Sequence, residues 1–224
     1  MVGWTDGGET MVIGRLIGIV VLALWVMPAA AGEPALDLLD APVAYTAHFS
    51  VASDQGVYQG SVWHAPGRER RDFDTIGGGQ ALLLLRGDDA AYLIKPSGRW
   101  YVGVGLHAAA ALAGGLDAMV VERKALKDET VGGLRATRYK VSAAGGRFEG
   151  DAWFTKDGIM VKAVGTLQGA GRVETQLSDL VVGRVDESRL AVPPGYFGID
   201  LKSVPPDRLV QAVGSLAPML EGRH

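Results

Sequence analysis

From Val43 onward, apolar residues recur at every second position. Val43, Tyr45, Ala47, Phe49 and Val51 fall on one side, and Thr46, His48 and Ser50 on the other. That period is the mark of a half-buried β-strand. Asp54-Gln55-Gly56 predicts a turn, Val57 to Ala65 a return strand carrying Trp63, and Pro66-Gly67 a second turn. Arg68 to Asp74 reads as a charged strand with one wet face, and Ile76 to Gly79 as a flexible break. Gln80 to Arg86 (QALLLLR) is a continuous apolar run of strand length and predicts a buried strand. Gly87-Asp88-Asp89 and Pro96-Ser97-Gly98 turn the chain into and out of Ala90 to Lys95, and Arg99 to Val102 follows.

The period changes at Leu106. Leu106 to Met119 is Ala-rich and predicts a helix, weakened at Gly114-Gly115. Strands resume at Val120 to Lys127, Leu134 to Ala143, Arg147 to Thr155, Ile159 to Gln168 and Arg172 to Val185, with an Asp157-Gly158 hairpin signal between the third and fourth. Val192-Pro193-Pro194-Gly195-Tyr196 is expected to end the sheet, because paired prolines cannot donate to a ladder. A last helix is expected from about Pro206, with Leu209, Val213, Leu216 and Leu220 on one face. Before the first strand, Glu33 to Asp40 predicts a short helix with Leu36, Leu39 and Ala35 inward. So long a run of antiparallel strands must curl. The expected fold is mainly β: a strongly curved antiparallel sheet, an incomplete β-barrel, with short helices covering the open side.

The chain ahead of this domain has a different pattern. Arg15 precedes an apolar run from Leu16 to Met27, then Pro28 and Ala29-Ala30-Ala31. A charged start, a short apolar core and small residues before a cleavage point are the layout of a secretory signal peptide. The twelve-residue run would make a helix of about 18 Å, short of the ~30 Å hydrocarbon core of a bilayer. Residues 1–10 do not fit the layout, and Met11 is a candidate start. The expected division is residues 1–31 as signal peptide, 32–203 as the curved-sheet domain and 204–224 as a C-terminal helix, with cleavage after Ala31. The expected location is the periplasm or another exported compartment, with the chain soluble after cleavage.

Composition narrows the chemistry. The 224 residues contain no cysteine, which excludes disulfides, thiolate catalysis and cysteine-ligated metal. Formal net charge is −3; losing Asp6, Glu9 and Arg15 leaves about −2, so nothing draws the domain to nucleic acid. His48, His64, His107 and His224 are the four histidines. His48 and His64 sit on predicted strands and could approach one another, yet two imidazoles make at most half a metal site, and they read as surface or partly buried strand residues. No serine sits in a nucleophile elbow, and Gly77-Gly78-Gly79 lacks the lysine and helix of a phosphate loop. Arg68-Glu69-Arg70-Arg71-Asp72 mixes signs and reads as a solvated strand rather than an anion site. No metal, cofactor or catalytic residue is expected. Aromatics on strands are plentiful instead, and most must be core. A curved sheet has a larger concave face than small helices fill, which leaves an apolar groove as the expected ligand site.

Several segments resemble the periplasmic lipoprotein-carrier superfamily, the LolA/LolB-like fold. Tyr45 to Ser50 (YTAHFS) is similar to its first strand, and Gly60 to Gly67 followed by Arg70 to its G-x-x-W-x-x-P strand and turn. Gly87 to Tyr92 and Lys95 to Tyr101 resemble its paired strands ending in P-x-x-x-x-Y, and Trp153 to Ile159 its W-x-x-x-D-G-x hairpin. Asp186 to Leu190 and Val192 to Tyr196 resemble its closing V-P-x-G-Y segment. The resemblance implies a half-barrel around an apolar cavity that takes acyl chains. It also implies an arginine before the turn proline that holds a lid, where this chain has Ala65. The expected function is binding of a lipid, an acyl chain or another apolar ligand in the half-barrel cavity, in lipoprotein or outer-membrane lipid handling and without catalysis; the expected partner is a lipid or an acylated protein, with peripheral membrane contact compatible with that task. Tyr45, Phe49, Trp63, Tyr92, Trp100 and Trp153 are the expected cavity lining. The alternatives are a periplasmic sensor that binds an envelope protein partner, and an enzyme using His48 or His64 with a carboxylate.

Overall fold

The alternation around Phe49 forms strand β2 (Tyr45–Ser53), in which Tyr45, Ala47, Phe49 and Val51 are buried and the residues between them are not. The computed structural model describes residues 32–38, 40–54, 56–74, 79–112, 120–143, 147–168, 171–209 and 211–212. The predicted signal peptide and most of the C-terminal helix lie outside them. Within them, β2 hairpins into β3 (Gly56–Ala65), and the chain continues through β4 (Arg68–Phe73), β5 (Gln80–Leu85), β6 (Ala90–Lys95) and β7 (Trp100–Gly105). Gly67 closes the β3–β4 turn at φ 79°, a conformation that favours glycine. A helix, Leu106–Leu112, then leads toward a second meander: β8 (Val120–Val131), β9 (Leu134–Ala143), β10 (Phe148–Phe154), β11 (Met160–Leu167) and β12 (Gly171–Val182).

The two meanders are joined by β12 pairing antiparallel with β2, Leu177 opposite Phe49. With β1 (Glu33–Pro34) beside β8 and β13 (Phe197–Asp200) beside β7, one curved thirteen-stranded sheet results, in the order β1-β8-β9-β10-β11-β12-β2-β3-β4-β5-β6-β7-β13. It does not close into a barrel. Both edges are short strands, which limits the backbone left open to strand addition.

Register fixes which residues look inward. Tyr45, Ala47 and Phe49 stand opposite His64, Val62 and Gly60 on β3, and these opposite Glu69, Arg71 and Phe73 on β4. The same face continues through Leu82, Leu84 and Ala91 on one side, and through Leu177, Ala163, Ala152, Phe154 and Val141 on the other. This inner face is the main core. Helix α1 (Ala35–Leu38) and helix α2, the Leu106–Leu112 segment, cover it with Ala35, Leu38, Leu106 and Ala110. The outer face carries a smaller cluster, Ala81, Leu83 and Ile94, covered by Val192 and Tyr196 of the segment before β13.

The expected fold class is the one found, with four differences. The predicted helix at Glu33–Asp40 is shorter, with Ala35 and Leu38 buried, and Leu39 lies outside the described residues. The sheet does not end at the prolines: β13 follows them and pairs parallel with β7, so one pair departs from the antiparallel pattern. The long strand β12 is broken in register between Ser178 and Val181, a bulge that no periodicity signals. The charged strand β4 is only partly wet: Arg68 and Asp72 are half-buried on its outer face, while Arg70 of that face and Glu69 and Arg71 of the inner face are buried.

Candidate functional site

The inner face is apolar over most of its area, and the main exception is a cluster of buried charges. His64, Glu69 and Arg71 are 0 %, 2 % and 5 % exposed, and they meet where β3 and β4 face the loop after α1. Strand parity causes this. Glu69 and Arg71 are two residues apart and therefore share a face, and His64 is directly opposite Glu69. Arg71 Nε donates to Glu69 Oε1 at 2.7 Å, and His64 Nδ1 lies 3.1 Å from Glu69 Oε2. On its other side, His64 Nε2 is 2.9 Å from the carbonyl oxygen of Ala41.

Burial alone would push the Glu69 carboxyl up. The Arg71 guanidinium, the hydrogen bond with His64 and the more distant Arg86 outweigh it and hold Glu69 well below the usual carboxylate range. Glu69 is therefore an acceptor, as is the Ala41 carbonyl, and the His64 ring is held between the two. The Tyr45 ring stacks on it at 4.8 Å between centroids. Burial, with Glu69 next in size, pushes the Tyr45 hydroxyl far up, so it stays protonated.

Asp40 completes the cluster. Its carboxylate accepts the Gly67 N–H at 2.7 and 2.9 Å and stands 3.7 Å from both His64 Nε2 and Arg86 Nη1. The guanidinium groups of Arg71 and Arg86 thus face the carboxylates of Glu69 and Asp40, with the His64 ring between them. The Arg71 guanidinium lies 5.2 Å from the Phe49 ring centroid, and Phe49 packs edge-on against Phe73 at 5.2 Å. Farther along the inner face, Arg123 of β8 lies over the Tyr139 ring at 4.4 Å, partly desolvated. Among the described residues, no group of three or more His, Asp or Glu side chains is placed to hold a metal ion.

The six aromatics expected to line one cavity do not share a face. Tyr45 and Phe49 are on the inner face within this cluster, and Trp100 has the same parity at the far end of β7, beside Phe197. Trp63, Tyr92 and Trp153 are on the outer face. The Arg189 guanidinium covers the Trp63 ring at 5.0 Å, and Tyr92 packs edge-on against Tyr101 at 5.6 Å. Trp153 donates to Glu129 at 2.8 Å, with Arg138 and Lys162 at 5.3 and 5.9 Å from its ring. His48 and His64 also diverge: His48 is on the outer face beside Ser61 Oγ, 3.4 Å away, so the two cannot act together.

Glu69, Arg71 and His64 are what a reading of the sequence misses. The usable signal is opposite charge at every second position. Glu69–Arg71 pairs on the inner face, and Arg70–Asp72 on the outer, where Arg70 Nε donates to Asp72 Oδ1 at 2.6 Å. Each charge thus carries its own partner into the sheet.

The geometry defines a class: among the described residues, a single curved sheet whose concave face is an apolar core covered by short helices. That is the LolA-like fold, shared with solved structures at low sequence identity. An uncharacterised conserved protein from Thermus thermophilus is similar over 71 % of this chain and 91 % of that one, with TM-score 0.53 and 10 % identity. MucB of Pseudomonas aeruginosa, solved with MucA, is similar over 68 % of this chain and 56 % of that one, with TM-score 0.47 and 14 % identity. A putative outer membrane lipoprotein-sorting protein domain from Vibrio parahaemolyticus gives TM-score 0.34 and 12 % identity over 66 % of this chain and 89 % of that one. No family model matches the sequence, and no curated protein matches it.

Proposed function

We propose that this is an exported, non-enzymatic protein that binds a lipid or another ligand with an acyl chain on the inner face of its half-barrel. One observation carries the reading. Among the described residues, an apolar inner face running from Phe148, Ala152 and Phe154 through Phe49 and Val51 to Leu82 and Leu84 is packed by helices of four and seven residues. Burying an acyl chain there contributes about 0.8 kcal/mol per methylene, enough for micromolar binding of a long chain. The Leu16–Met27 run and the Ala29–Ala31 site support export. Among the described residues no helix is long and apolar enough to cross a membrane.

The test is native mass spectrometry of the protein purified from its own envelope fraction, with extraction of bound lipid. Copurifying lipid, and uptake of a fluorescent fatty acid that weakens in Phe49→Asp, are expected. Protein that is lipid-free and takes up no probe would end the reading. A second reading, a sensor that binds a protein partner, draws on Val181 and Val182, exposed at 63 % and 49 % on the end of β12. Capture of a defined envelope protein that is lost in Val181→Lys would favour it.

A further inference from the structure

We infer that the ligand of the inner face carries an acidic oxygen head, a carboxylate or a phosphate, and that Arg71 is the residue that holds it. This rests on the acyl-binding reading above and names the chemistry of the ligand's polar end.

Nη1 of Arg71 has no hydrogen-bond partner among the described residues, although the side chain is 6 % exposed. Buried donors are almost always paired, because an unmade hydrogen bond to a charged group is costly. The guanidinium spends Nε on Glu69, and its carbon lies 5.2 Å from the Phe49 ring centroid. Its register neighbours are Val62 and Leu82, with Phe73 next on the strand, so no protein acceptor stands opposite it in the sheet.

The chemistry of the donor gives the sign of the missing partner. The guanidinium is a permanent cation, and its unused N–H is met most strongly by an anionic oxygen. A chain-bearing acid meets both demands of the site. The head accepts from Nη1, and the chain lies on Phe49, Val62, Phe73 and Leu82. A neutral head accepts from Nη1 without the charge and holds it more weakly.

The experiment is calorimetric titration of the wild-type protein with dodecanoic acid, dodecyl phosphate, dodecanol and inorganic phosphate. At least one of the two chain-bearing acids is expected to bind about tenfold tighter than dodecanol, the scale of one charge-assisted hydrogen bond. The relative affinity of the two acids tells which head the site prefers. Arg71→Gln is expected to bring the acids level with dodecanol while leaving dodecanol within about threefold. Equal binding of acids and alcohol, or an undiminished acid preference in Arg71→Gln, would each overturn the inference and leave acyl binding standing; inorganic phosphate binding as tightly as dodecyl phosphate would show that the chain adds nothing and would overturn acyl binding itself. Failure of every chain-bearing probe would overturn the underlying reading as well. If Arg71→Gln does not fold, the wild-type comparison of acid with alcohol decides by itself.

Discussion

His64 and Glu69 face one another across β3 and β4 with 3.1 Å between Nδ1 and Oε2, and neither side chain is more than 2 % exposed. The carboxylate is the partner of both His64 and Arg71, one at each of its two oxygens. Removing its charge leaves the buried Arg71 guanidinium without its anion. Breaking a buried pair in this way costs about 3–5 kcal/mol. Glu69→Gln is therefore expected to lower the unfolding free energy by that amount at neutral pH, seen as a lower urea midpoint with no change in the slope. A loss under about 1 kcal/mol would show that the pair is relieved by water.

The same carboxylate sets an acid limit. Its affinity for protons is lower in the folded state than in the unfolded chain, where its ordinary value is 4.5. Its contribution to stability is therefore complete above that value and is lost as pH falls below it toward the folded-state value. Wild type is expected to weaken steadily on acidification, and the gap to Glu69→Gln to narrow over the same range. Urea unfolding at neutral pH and at about pH 3 checks this; a gap of constant size at both would contradict it.

Much of the fold was legible because half-buried strands alternate, as Tyr45 to Val51 do, and because turns at Pro66-Gly67 and Asp157-Gly158 announce themselves. The face of each aromatic was not legible. Alternation separates Trp63 from His64 but does not say which looks inward, and here the outer face has its own cover. The Glu187–Leu190 turn supplies Arg189 to Trp63, and Val192 and Tyr196 pack near Tyr92. Aromatics are consequently buried on both sides. The buried charges were obscured for a related reason: a run such as Arg68 to Asp72 looks solvated unless its two faces are read separately.

Glycine at position 60 marks a close approach. A Cβ there would collide with the Asp72 carbonyl and come within 3.0 Å of Phe49 Cε1. Neither the ladder nor the Phe49–Phe73 pair can yield without disturbing the core. Gly60→Ala is expected to cost about 1–3 kcal/mol, as overpacking does. Gly87→Ala is the control, since a Cβ there meets nothing within 4 Å. It should stay within about 0.5 kcal/mol of wild type in thermal unfolding.

Trp153 separates the two faces experimentally. Its indole donates to Glu129 and is flanked by Arg138 and Lys162, all on the side of the sheet away from Phe49. Trp153→Phe keeps most of the ring and removes one hydrogen bond to a charged acceptor, a loss of about 1.5–3 kcal/mol in buried settings and less at this partly exposed carboxylate. Fatty-acid probe affinity is expected to stay within twofold of wild type, whereas Phe49→Asp should weaken it well beyond that. Equal loss in the two variants would place the ligand on the outer face.

Asp40 tests how the segment before β2 is held on the sheet. Its two carboxylate oxygens accept the Gly67 N–H, and His64 grips the neighbouring Ala41 carbonyl, so the β3–β4 end of the half-barrel is tied to the chain just after α1 at two adjacent points. Asp40→Ala removes the first tie and also an anion from beside His64 and Arg86. The Gly67 amide then loses its acceptor, and its hydrogen exchange is expected to speed up by at least tenfold while β9–β11 amides are unaffected. Asp40→Asn keeps an acceptor oxygen without the charge, and its exchange rate should fall between the two. That graded order distinguishes a hydrogen-bonded tie from a charge effect. If Asp40→Asn matched Asp40→Ala, the charge would be what holds the segment; if it matched wild type, the hydrogen bond alone would suffice.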